Sequence, residues 1–290
     1  MKLPSAERVR RTVREPLWAA TTAAARPTSS LRVLPEFLVI GAQRAGTTSL
    51  MQALERHPNI AGPRLMKGVH YFDTAYDRPL DWYRSHFHTA AYARWVEHRT
   101  GSPLIAGEAS PYYLFHPAVP LRTASVLPDA KLIAMVRNPV ERTLSHYRHS
   151  VDRGNEPLDV EEALDAESTR LGGTHELLAR ATPLNSYNHQ TFSYVARSEY
   201  APQLERWLVH FDRSRILVIQ SETFFSDPEE TYRRVLSFLS VPDWAPYLFD
   251  KVNPSSSSDV PDHVRQRLED HFVGPNEDLF ELIGERFSWT

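Results

Sequence analysis

Hydrophobic residues in this chain gather into short continuous runs rather than a steady alternation. The runs at 37–40, 104–108, 131–136 and 216–219 are four to six residues long and mostly aliphatic, the pattern of strands buried on both faces. Residues 59–61 add a shorter candidate. Between these runs the period lengthens to that of a helix. Helices are expected from Thr47 to His57, over 80–87, over 117–127 with Pro120 in the first turn, and from Pro139 to about Arg153. Residues 67–72 read as a strand or loop returning toward the first strand. From 158 to 210 the pattern is mainly helical, broken at Gly172-Gly173 and near Pro183, and Tyr200, Leu204, Trp207 and Leu208 form an apolar stripe. Residues 228–239 form another helix, and two closing helices are expected at 264–272 and 276–284, after an irregular stretch marked by Pro242, Pro246 and Pro254. Strands alternating with helices imply a parallel sheet with right-handed crossovers. The fold class expected is α/β, a P-loop-like three-layer α/β/α arrangement with a mostly helical C-terminal half.

The first strand runs into Gly41-Ala-Gln-Arg-Ala-Gly-Thr-Thr48, a glycine turn that opens a helix. Successive backbone N–H groups and the positive end of the helix dipole make such a turn an anion cradle. The spacing approaches a nucleotide P-loop, but Thr47 stands where the P-loop lysine would reach the β- and γ-phosphates. The run at 131–136, the one placed to carry a metal-binding aspartate, ends instead in Arg137. A cation there repels Mg²⁺ and attracts a second anion. Two anion sites without a metal site argue against an ATPase or a kinase.

Those two stretches carry a resemblance. Gly41 to Leu50 resembles the 5′-phosphosulfate loop of sulfotransferases that use 3′-phosphoadenosine-5′-phosphosulfate (PAPS). Arg137-Asn-Pro-Val-Glu-Arg-Thr-Leu-Ser145 resembles their 3′-phosphate motif, an arginine at a strand end with a serine eight residues later. The likeness is to the heparan sulfate N- and 3-O-sulfotransferase branch and its bacterial relatives. It extends through Val69-His-Tyr-Phe-Asp73, Trp82-Tyr83, Gly107-Glu-Ala-Ser-Pro-Tyr-Tyr113 and the closing 279–284, roughly from residue 36 to the C-terminus. The two anion motifs, in order and about ninety residues apart, are far more specific together than either alone.

The resemblance implies PAPS as cosubstrate, no metal, and in-line transfer of a sulfuryl group to a hydroxyl or amine of a carbohydrate or small glycoconjugate. It places Gln43, Arg44, Ala45, Gly46, Thr47, Thr48 and Ser49 on the 5′ side of the donor, and Arg137 and Ser145 on its 3′-phosphate, with Arg142 a weaker candidate. Arg44 stands where the family usually has lysine and is expected to stabilise the departing phosphate, with Lys67 in reserve. Serines 255–258 fall where relatives place a loop over the nucleotide, without their Lys-Gly pair. The branch also has a glutamate base where this chain has Gly68. His70 is the expected substitute, because imidazole accepts a proton near neutral pH. Glu108 and Asp73 are the alternatives, with Glu108 also expected to pair with Arg44 or a substrate group. Of Tyr71, Phe72, Trp82, Tyr83, Tyr112 and Tyr113, at least half are expected in the core. Arg197 is either an acceptor-binding cation or one half of a surface ion pair. Two rivals remain: a P-loop nucleotide kinase and a noncatalytic 3′-phosphoadenosine nucleotide-binding protein.

Bulk properties add little. The 290 residues are 41% hydrophobic and 24% charged, with net charge −3, so no global basicity points to nucleic acid. Cysteine is absent, which removes disulfides and thiol chemistry. No apolar run approaches the ~18 residues of a membrane span. Residues 1–35 differ, carrying Arg8, Arg10, Arg11, Arg14, Arg26 and Arg32 against Glu7 and Glu15. They are expected to form a basic, partly disordered arm making at most weak contact with an anionic membrane surface, a transit peptide being the alternative. Residues 36–290 are expected to be one domain. Eukaryotic carbohydrate members of the family usually carry a membrane anchor, so the expectation here is a bacterial, cytoplasmic enzyme.

Overall fold

The computed structural model describes residues 20–64, 66–180, 184–244 and 260–289. The serine loop at 255–258 lies outside them, as do residues 1–19.

Five strands form one all-parallel sheet: β1 (Phe37–Gly41), β2 (Ile60–Ala61), β3 (Ile105–Ala109), β4 (Lys131–Val136) and β5 (Ile216–Gln220), in the order β2-β3-β1-β4-β5. Phe37 to Ile40 and Leu132 to Val136 are fully buried. That is why these strands read as unbroken apolar runs: helices cover both faces of the sheet. The first half supplies α1 (Thr47–Leu54), α2 (Leu80–Arg84), α3 (Ala90–Thr100), α4 (Val119–Val126) and α5 (Pro139–Asp152). The second supplies α6 (Val160–Leu171), α7 (Thr174–Arg180), α8 (Tyr187–Thr191), α9 (Tyr200–Leu208), α10 (Ser221–Ser226), α11 (Pro228–Leu239) and α12 (Asp262–Ile283). A second apolar cluster joins α5, α6 and α12 through Val140, Leu144, Leu164, Val264, Leu268 and Phe272. Among the described residues no helix is long and apolar enough to cross a membrane.

Several elements differ from the sequence pattern. The two closing helices are one, α12, with Pro275 inside it. An internal proline costs about 3 kcal/mol, but Val264, Leu268, Phe272, Leu279 and Phe280 bury one side of the helix on either side of it. Helix α3 was not foreseen because only Val96 on it is buried; its ends carry the signal instead, Thr89 accepting the Tyr92 N–H and Gly101 closing it in the left-handed region. Residues 67–72, expected as a strand or a loop, are a loop. Along 20–35, Thr22 and Ala25 are buried, Arg26 pairs with Asp81 at 3.0 Å, and Val33 N–H donates to the His88 carbonyl at 3.1 Å.

Helix α5 begins directly after β4 and so fixes Arg137. The Asn138 side chain accepts from the amides of Val140 (3.0 Å) and Glu141 (3.2 Å), while its own N–H donates to Glu222 at 2.9 Å. Replacing Asn138 with Ala removes this cap and is expected to cost about 1 kcal/mol of stability, read from denaturant unfolding.

Candidate active site

Strands β1 and β4 are neighbours, and the chain leaves this pair toward opposite edges of the sheet, so a crevice opens beyond their C-terminal ends. Both anion motifs emerge there. Gly46, at φ +94°, turns the chain into α1, and no side chain caps that helix. The amides of Thr47, Thr48 and Ser49 thus open the helix without intrahelical acceptors. Ala45, expected among the cradle donors, instead spends its N–H on the Ala42 carbonyl at 3.2 Å. Arg44 holds a left-handed φ of +73°, uncommon away from glycine.

The motifs touch. Arg44 Nε donates to Ser145 Oγ at 3.1 Å, and Arg137 Nη1 donates to the Arg44 carbonyl at 3.3 Å. The guanidinium of the first motif therefore lies against the serine of the second. The cation over the start of α1 is Lys67, whose Nζ donates to Thr47 Oγ1 (3.2 Å) and Thr48 Oγ1 (3.0 Å). Burial lowers the Lys67 pKa to about 8, with Glu55 pulling the other way. Arg44 is lowered too, first by burial and then by Arg137, Arg153 and Arg148. Cations that depress one another around an uncapped helix start fit a polyanionic ligand, whose charge would relieve the repulsion.

Two more arginines reach this loop from below. Arg142 is fully buried, donating to Ser198 Oγ, the Tyr194 carbonyl and, at 3.5 Å, the Gln43 carbonyl. Arg197, 2% exposed, donates to Gln43 Oε1 and to the carbonyls of His189 and Gln190, and lies 5.0 Å from the rings of both Tyr112 and Phe115. It is thus neither an open acceptor cation nor part of a surface pair. Burial lowers Arg142 to about 10 and Arg197 to about 9.

On the other side of the crevice, loop 67–73 is held by Glu108. This carboxylate is fully buried and accepts four hydrogen bonds: from Val69 N–H (2.5 Å), Ser110 Oγ (2.8 Å), Tyr83 OH (2.8 Å) and Tyr113 OH (2.9 Å). Ser110 Oγ in turn accepts the His70 N–H at 3.1 Å, and Tyr113 OH the Phe72 N–H at 3.3 Å. Four donors fill the lone pairs of a carboxylate. Glu108 is therefore no base and does not pair with Arg44; burial raises its pKa, and the donors pull back only in part.

His70 projects from this loop with a left-handed φ of +57°. Its Nδ1 donates to Asp73 Oδ2 at 2.8 Å, and its side chain keeps 43% exposure while that of Asp73 has none. Burial pushes the imidazole pKa down, but the charge and hydrogen bond of Asp73 outweigh it and the net shift is upward. Asp73, at first only an alternative base, is the partner that orients His70; the His-x-x-Asp spacing was the signal for it. Gly68 lies so close to β3 that a Cβ there would fall 2.2 Å from the Ala109 carbonyl and 2.6 Å from Ser110 Oγ. Five of the six aromatics considered as acceptor contacts are buried; Trp82 is partly open. Among the described residues no group of His, Asp and Glu is arranged to hold a metal ion.

A family model described as the sulfotransferase domain matches residues 34–252. The membrane-associated sulfotransferase kil1 of Dictyostelium discoideum is 26% identical, over 89% of this chain and 67% of its own length. Heparan sulfate glucosamine 3-O-sulfotransferase 6 of Mus musculus is 28% identical, over 89% of this chain and 74% of its own. Among solved structures, a sulfotransferase from Alicyclobacillus acidocaldarius superposes with a TM-score of 0.65 at 30% identity, covering 88% of this chain and 98% of that one. The chain belongs to the sulfotransferase domain family.

Proposed function

We propose that this protein moves a sulfuryl group from PAPS to a hydroxyl or amine of a carbohydrate acceptor. The observation that carries the reading is the contact between the two anion motifs, Arg44 on Ser145 and Arg137 on Arg44, which brings both candidate anion sites to one crevice. The carbohydrate acceptor is inferred from relatives named for heparan sulfate glucosamine.

The donor supplies a sulfur whose bridging oxygen leaves with the nucleotide as phosphate. Lys67, the two threonine hydroxyls and the opening amides of α1 are placed to meet the charge that grows on that oxygen. Arg44 lies nearer the 3′ side, with Arg137 and Ser145. His70, held by Asp73 through Nδ1, takes the acceptor proton at Nε2 as the acceptor oxygen or nitrogen bonds to sulfur. The imidazole is the base because the glutamate position is Gly68 and Glu108 is fully engaged.

Incubation with labelled PAPS and a panel of glucosamine-containing acceptors tests the reading. A protein that binds adenosine 3′,5′-bisphosphate but neither transfers sulfate nor hydrolyses PAPS would be the noncatalytic binder instead. Arg137→Ala is expected to weaken binding of that bisphosphate about 10- to 100-fold in metal-free calorimetry. The profile of kcat/KM against pH should be bell-shaped. Its rising limb lies above the ordinary imidazole value, because His70 works deprotonated and its pKa is raised, and its falling limb lies near 8, where Lys67 loses its charge. His70→Ala should remove the rising limb and lower turnover with nucleotide affinity nearly unchanged. Gly68→Glu, which restores the residue of the relatives, is expected to lower the melting temperature and bring no gain in turnover, since its side chain has no room beside Ala109.

A further inference from the structure

Helix α12 is tied to the rest of the protein by a row of ion pairs. His263 meets Glu161 at 3.1 Å, Arg267 meets Asp165 at 2.7 Å and His271 meets Glu199 at 2.9 Å. The fourth pair differs. Arg265 Nη1 lies 2.7 Å from Glu141 Oε1, and the other oxygen of the same carboxylate lies 3.8 Å from Arg137 Nη2. Two guanidiniums therefore share the Glu141 carboxylate in the first turn of α5, while Glu222 is held on the Asn138 N–H of the same turn. That turn belongs to the motif Arg137 to Ser145. The packing of Val264 and Leu268 against Val140 and Leu144 fixes Arg265 in this register. Its side chain is 40% exposed and that of Arg137 is 26% exposed, so the carboxylate covers neither guanidinium completely.

We infer that Arg265 is a specificity residue for the donor, a second guanidinium for its 3′-phosphate, held beside Arg137 by Glu141 until the nucleotide arrives. The inference rests on the donor reading above and adds a cation from the far end of the chain. A single carboxylate cannot saturate two guanidiniums, whereas a phosphate dianion offers three oxygens to both. The ion pairs of Arg267 and the two histidines lack this feature, because none of their acids is shared with Arg137.

The test compares adenosine 3′,5′-bisphosphate with adenosine 5′-monophosphate as ligands for the full chain, with the melting temperature of each variant measured in parallel. Arg265→Ala should weaken the bisphosphate about tenfold and leave the monophosphate unchanged; Arg265→Lys should recover part of the loss. Arg267→Ala, which breaks a neighbouring ion pair, should alter neither affinity. If Arg265→Ala weakens both nucleotides equally, or neither, the arginine only fastens α12 and the inference is overturned. If the wild-type protein itself shows no preference for the bisphosphate, the donor reading fails instead.

Discussion

Glu108 is fully buried, and burial raises its carboxyl pKa against the pull of its hydrogen-bond donors and of His70. An isolated carboxylate so buried is too costly to keep, and this one persists because four donors converge on it. Three of those donors connect it to the backbone of loop 67–73, directly at Val69 and through Ser110 and Tyr113 at His70 and Phe72. The loop cannot shift without stripping a buried charge of its partners, each worth about 1–3 kcal/mol. Both side chains assigned to the reacting centre, Lys67 and His70, stand on that loop. Their placement opposite α1 is thus a property of a strand residue that touches neither.

The other wall of the crevice is built on the opposite principle. Arg142 and Arg197 are as deeply buried as Glu108, yet their bonds go to carbonyls, a hydroxyl and the Gln43 amide. Together with Arg44, Arg137 and Lys67 they gather five cations around one loop and one helix start. Such a surface is poorly content when empty and well suited to a ligand with several negative charges.

Much of this was legible in the residues. The apolar runs before Gly41 and Arg137 can only be strands covered on both faces, and Pro139 after Asn138 marks a helix start, so the cradle, the second motif and their common edge follow from local chemistry. What escaped was decided over distance. Arg44 turns to the second motif, leaving Lys67, expected only in reserve, over the start of α1, because Ser145, 101 residues from Arg44, accepts its Nε, and no local pattern encodes that. The role of Glu108 depends on Tyr83 and Tyr113, whose hydroxyls meet only once β3 and α2 are packed. Helix α12 runs through Pro275 because of apolar partners on other helices, whereas α3, nearly without such partners, is marked only by Thr89 and Gly101.

The grip on the nucleotide has a consequence for turnover. On the proposed donor reading, Arg137, Ser145 and Arg44 face a phosphate that reaction leaves untouched, and the α1 amides face one that departs with the spent nucleotide. Hardly any of these contacts distinguishes the fresh donor from its desulfated remnant, and binding shared in that way speeds no chemical step. On that reading the remnant would compete with fresh donor for the same grip, and its concentration in the surroundings would govern how readily the site clears.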